Sequence, residues 1–161
     1  MRLIKFFLSG VLLLYLQILF APKLAILGVV PFFLIPYVIF VSIHLGLLES
    51  TIITFLIGLS FDLINPLLLG ANTFLLLLLT YFVQRYHATV NKDKFIPILI
   101  NISIINVFYF IPLVFIRTVI IEFNAAVFYL FLVELIYNIV ITIVSLYLFT
   151  IIHKLKLVID V

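Results

Sequence analysis

The chain predicts an all-α, polytopic membrane protein: a compact bundle of six transmembrane helices forming a single domain over residues 1–161. Its residues are 68% hydrophobic and only 9% charged, whereas soluble domains are roughly half apolar and a quarter charged. A soluble fold of this length would leave about a third of its unfolded-chain surface in water, which is incompatible with a mean hydropathy of +1.53. Stretches long enough to cross roughly 30 Å of hydrocarbon also recur along the whole sequence, and the basic residues sort between their two ends.

The first span is expected at 4–21. Arg2 and Lys5 before an apolar run resemble a signal peptide, but that run is long for one, no small-x-small cleavage site follows closely, and everything downstream is equally apolar. The second span, 27–44, contains Pro31 and Pro36. A proline inside a helix removes a donor and clashes with the preceding turn, so a kink is expected at Pro36. The third, 47–64, and fourth, 68–86, are joined by a short hairpin at Asn65-Pro66. The fifth, 95–120, carries Pro97 near its start and Pro112 inside, and is long enough to be tilted, broken or partly interfacial. The sixth is expected at 125–152.

With six spans, Arg2, Lys5, Arg85, Lys92, Lys94, Lys154 and Lys156 fall on one side, and Lys23 and Arg117 on the other. The excess of Lys and Arg on the cytoplasmic side of membrane proteins then puts both termini and the loop HATVNKDK in the cytoplasm. Removing one span would scramble the partition.

The rare polar residues are spaced as stripes. Ser50, Thr54, Gly58 and Asp62 recur every four residues in the third span, so they share one narrow helix face. Glu134, Asn138, Thr142 and Ser145 do the same in the sixth, and Gly70, Thr73, Thr80 and Gln84 in the fourth. Asn106, Tyr109 and Arg117 share one side of the fifth. Small residues let helices approach, and hydroxyl or amide groups bond across the contact for about 0.6 kcal/mol each, so the stripes predict a semi-polar interior. Asp62, Arg117 and Glu134 fall at similar depth. A charge at mid-bilayer costs about 2.5–3.5 kcal/mol on the insertion scale, so pairing Asp62 or Glu134 with Arg117 is one expectation. A helix-end carboxylate at Asp62 close to the outer interface, hydrogen-bonded or hydrated and without a functional role, is the other.

Cysteine is absent, which excludes disulfides and thiolate chemistry. Neither a metal-ligand spacing nor a phosphate loop nor a nucleophile with its base is visible. His44, His87 and His153 are isolated at predicted helix ends. The sequence therefore predicts no enzyme, no cofactor, no metal and no nucleic-acid partner; the lipid bilayer is the surrounding partner.

The pattern Gly58-x3-Asp62-x7-Gly70, followed eleven residues later by Tyr81, resembles the rod shape-determining protein MreD family. Gln17, Pro31, Tyr37, Gly46 and the Glu134, Tyr137, Asn138 group also look like that family, and the resemblance covers nearly the whole chain. Asn65-Pro66 departs from it, since other members place a small residue after the position of Ile64. The resemblance implies a bacterial inner-membrane protein without catalysis, which binds the bitopic protein MreC and belongs to the elongation complex that couples cell shape to lateral peptidoglycan synthesis. It also implies a fold similar to the substrate-binding S-components of energy-coupling-factor vitamin transporters. On this reading Gly58, Asp62, Gly70, Tyr81, Arg117, Glu134 and Asn138 bind the partner or specify the bundle. The alternative is an S-component-like subunit holding a vitamin between its helices. Such subunits usually carry an AxxxA stripe on the first helix, where this chain offers only Ser9 and Gly10.

Overall fold

A computed structural model describes residues 2–64, 69–86, 95–121 and 125–159. The expected Asn65-Pro66 turn, the loop over 87–94 with His87, and the side chains of Arg117 and His153 lie outside the described residues. Among those described, six α-helices and one 3-10 turn follow in order: α1 (Arg2–Leu19), the turn Ala21–Leu24, α2 (Leu34–His44), α3 (Leu47–Asp62), α4 (Ala71–Tyr86), α5 (Phe95–Ile121) and α6 (Ala125–Ile159). The only β feature among them is a single bridge between Ile26 and Val29. One helical stretch, Tyr129–Ile152 of α6, is long and apolar enough to cross a membrane by itself, and Leu3–Leu19, Leu34–His44 and Ile100–Ile116 are shorter apolar helices.

The second expected span is the largest departure. Only its latter part is helical: α2 has 11 residues, about 16 Å at 1.5 Å per residue. The chain before it doubles back in a tight turn, where Leu27 (φ 53°) and Gly28 (φ 82°) both adopt left-handed backbone. Ile26 and Val29 exchange backbone bonds of 3.0 and 2.9 Å across it, and two positive-φ residues in a two-residue loop are the geometry of a tight hairpin. Pro31 precedes the helix, and Pro36 falls in its first turn, where a missing N–H costs nothing. The kink expected at Pro36 is therefore replaced by a helix that starts just before it.

Elsewhere the differences are smaller. Gly70 is not part of the fourth helix; it stands just before it with φ 87°. Pro112 lies within a continuous α5, and α6 runs on to 35 residues.

Helix α2, apolar on every side, occupies the centre, with residues Leu34 to Ser42 all buried. A helix without a polar face belongs in the middle of a bundle. Tyr37, Val38 and Val41 of α2 share the core with Ile53 and Ile57 of α3, Leu76 and Leu79 of α4, and Ile105 and Tyr109 of α5. At the end of the bundle where α2 stops, Phe40 packs against His44 and Phe149, with ring centroids 4.2 and 5.6 Å away.

Candidate functional site: a polar seam, a capped half-helix and a cavity

The four-residue stripe of α3 faces α4 along its whole length. At one end Gln84 Nε2 donates to Ser50 Oγ at 3.3 Å, and in the middle Thr80 donates to Thr54 at 3.0 Å. One turn further, the backbones come close. A Cβ on Gly58 would stand 3.0 Å from Thr73 Cα and 3.3 Å from Thr73 Oγ1, so a methyl there would crowd the start of α4.

Asp62 closes the seam. It is the last residue of α3 and fully buried. Its Oδ2 accepts from the backbone N–H of Thr73 at 2.8 Å and from Thr73 Oγ1 at 2.6 Å, while Oδ1 accepts from Asn72 Nδ2 at 2.8 Å. Thr73 is the third residue of α4, so its N–H has no partner inside the helix. Asp62 thus caps α4 from across the seam, at the helix end whose dipole favours an acceptor. Asn72 passes the network on, because its Oδ1 accepts from Tyr109 of α5 at 2.7 Å. Of the two forms expected for a helix-end carboxylate, hydrogen-bonded or hydrated, Asp62 takes the first: it is fully buried with donors on both oxygens. A pairing with Arg117 involves a side chain outside the described residues.

A second set of polar bonds holds α2 at both ends. Gln17 of α1 donates to Pro31 O at 2.9 Å and accepts from the Phe33 N–H at 2.7 Å; Asn138 of α6 accepts from the Phe32 N–H at 2.7 Å. At the other end, Gln84 Nε2 donates to Ser42 O and, at 2.8 Å, to Leu45 O. Buried helix ends need such partners. Asn138 is itself held by donating to Glu134 O at 2.8 Å. Thr142 donates to Asn138 O at 2.7 Å and its hydroxyl stands 3.3 Å from Asn106 Oδ1, a contact that links α6 to α5. Tyr137 donates to Leu24 O at 2.7 Å and ties the segment before α2 to α6.

Because α2 is half-length, the centre of the bundle beyond its N-terminus is left open as a cavity of about 460 Å³. Phe32 and Val29 line it from the chain before α2, Phe61 from α3, Tyr109 and Leu113 from α5, and Leu130 and Glu134 from α6. Gln17 and Asn72 also reach its wall.

The residues marked in the sequence therefore have different fates. Gly58, Asp62 and Asn138 are interior bundle contacts, and Gly70 provides the left-handed step into α4. Glu134 is half-buried beside the cavity. Tyr81 is 61% exposed on the far side of α4 and touches neither network. Sequence reasoning missed Asn72, although a glycine followed by short polar residues, Gly70-Ala71-Asn72-Thr73, is a helix-start signal. It also missed the two-ended capping of α2, for which no local signal exists.

A sequence model of the rod shape-determining protein MreD family matches residues 1–156. No curated protein and no solved structure matches the chain.

Proposed function

The chain belongs to the MreD family of rod shape-determining proteins, and from that premise we propose that it is a non-catalytic scaffold of the cell-elongation complex whose helix faces receive a bitopic, MreC-like partner. The family is one of shape-determining structural proteins of the bacterial inner membrane, not a known enzyme family. In this reading the helices make a six-span bundle with both termini cytoplasmic, as the distribution of Lys and Arg favours. The short α2 completes its crossing through the folded chain before it; irregular backbone at membrane depth is tolerated where protein covers it.

One observation carries the docking reading. Among the positions that resemble the family, Gly58, Asp62 and Asn138 are consumed by the interior, whereas Tyr81 is exposed. It continues a stripe of exposed residues on α4, Phe74, Leu78, Tyr81 and Arg85, spaced to fall on one helix face. A large amphipathic ring in such a stripe suits packing against a single-span partner helix, and aromatic side chains are frequent anchors of interfaces. The test is copurification from native membranes. Tyr81→Ala is expected to leave the chain's amount in the membrane unchanged and to reduce the bitopic partner recovered with it. Undiminished recovery would remove Tyr81 from the interface, and cells that stay rod-shaped under full depletion of the chain would end the scaffold reading itself.

The cavity supports a second reading, an S-component-like subunit that holds a vitamin, since 460 Å³ lies within the roughly 300–1,000 Å³ of small-molecule sites. Ligand-dependent thermal stabilisation tests it.

A further inference from the structure

The polar side chains in the wall of the cavity are largely engaged with one another or with the backbone. Gln17 spends both ends of its amide on Pro31 and Phe33, Asn72 spends both of its own on Asp62 and Tyr109, and Tyr109 donates to Asn72. Glu134 is not without a partner either. A vitamin's hydrogen-bonding groups would have to break these bonds, and unmade buried bonds are costly. The rest of the wall is aliphatic and aromatic.

The way in is equally apolar. Val30, Ile64 and Leu130 line the cavity and are at the same time 39%, 48% and 41% exposed. Each of the three therefore reaches from the protein's outside to the cavity wall. In a membrane protein that outside meets acyl chains, and a chain that passes these side chains desolvates nothing polar on them. The aromatic faces of Phe32, Phe61 and Tyr109, packed with centroids 5.3 Å apart, form a firm floor.

We propose that the cavity binds one acyl chain of a membrane phospholipid, admitted past Val30, Ile64 and Leu130. The bound chain completes the packing that a full-length second helix would supply. This goes beyond the scaffold reading and is independent of it.

The chain contains no tryptophan, so a single introduced one reports on its own surroundings. Phe32→Trp places the reporter in the cavity, Phe115→Trp on the exposed face of α5, and Phe40→Trp in the core away from the cavity. In vesicles of phosphatidylcholine brominated on its acyl chains, the first two are expected to be quenched severalfold and the third hardly at all. Adding Val29→Phe, which fills the cavity, is expected to return the Phe32→Trp reporter to the level of Phe40→Trp. Quenching of Phe32→Trp no greater than that of Phe40→Trp, or quenching by aqueous iodide in its place, overturns the proposal.

Native mass spectrometry of the unsubstituted full chain supplies a readout that needs no reporter. One phospholipid per chain is expected to survive detergent stripping and to be lost in Val29→Phe. Equal retention by the two chains would mean a lipid bound elsewhere and would equally overturn the assignment.

Discussion

At the scale of single residues, the question is what an aspartate does among leucines, and Asp62 answers it by satisfying donors that α4 and Asn72 would otherwise bury unpaired. Leaving a buried donor unsatisfied costs about 1–3 kcal/mol. Asp62→Ala, which strands the Thr73 N–H and the Asn72 amide, is therefore expected to destabilise the chain by about 3 kcal/mol or more. Asp62→Asn keeps the shape but turns one acceptor into a donor, and should lose about 2 kcal/mol; unfolding in mixed detergent measures both. Gly58→Ala presses a methyl onto the Thr73 backbone, and overpacking of this kind costs typically 1–3 kcal/mol. Ser42 supplies the contrast: its hydroxyl is buried and meets no partner among the described residues. Ser42→Ala should change stability by no more than about 0.5 kcal/mol, or raise it, in the same assay. The four-residue rhythm of Ser50, Thr54, Gly58 and Asp62 made the inward face of α3 legible from sequence, because a 3.6-residue helix fixes which positions share a side. Asn72 was not legible in the same way, since its role depends on Tyr109, far along the chain.

At the scale of elements, α2 is the unusual one: a short central helix held by amide side chains from α1, α6 and α4. In the run 32–45, Pro36 alone hints at a late helix start, and nothing else there distinguishes a half-helix from a full span. The hairpin and the helix start are fixed by Leu27, Gly28 and Pro31, and by Gln17 and Asn138, which lie on other helices. Apolar periodicity therefore located the second element but overstated its length. Gln17→Leu removes a donor and an acceptor together and should destabilise by about 2–3 kcal/mol. Gln17→Glu keeps the acceptor for the Phe33 N–H but sets a carboxylate oxygen against Pro31 O in a buried place, and should lose at least as much. A smaller loss in a thermal-unfolding comparison would show that the Pro31 contact contributes little. Helices α1, α3, α4 and α5 lie within three residues of the expected bounds, because their apolar runs end at glycine, proline or charged residues, whereas α6 runs seven residues past its expected end.

At the scale of the whole molecule, polar residues form seams within a mostly apolar interior and large apolar side chains cover the outside, among them Leu12, Phe74, Phe115 and Tyr147, each about 60% exposed or more. An apolar outside with polar seams between helices suits a lipid environment, where polar contacts between helices replace the hydrophobic drive to associate. It also divides the family-like residues into those that build the bundle and those that face outward. The distinction was not legible from sequence, since Asp62 and Tyr81 belong to one spaced pattern.

The central claim, that the buried members of that pattern hold the fold while the partner docks outside, is tested most directly by measuring partner recovered per molecule of chain from membranes carrying Asp62→Asn. A reduced amount of chain in the membrane, with an unchanged ratio of partner to chain, is the predicted result. A normal amount of chain with the partner lost would contradict the account and place Asp62 in the recognition of the partner.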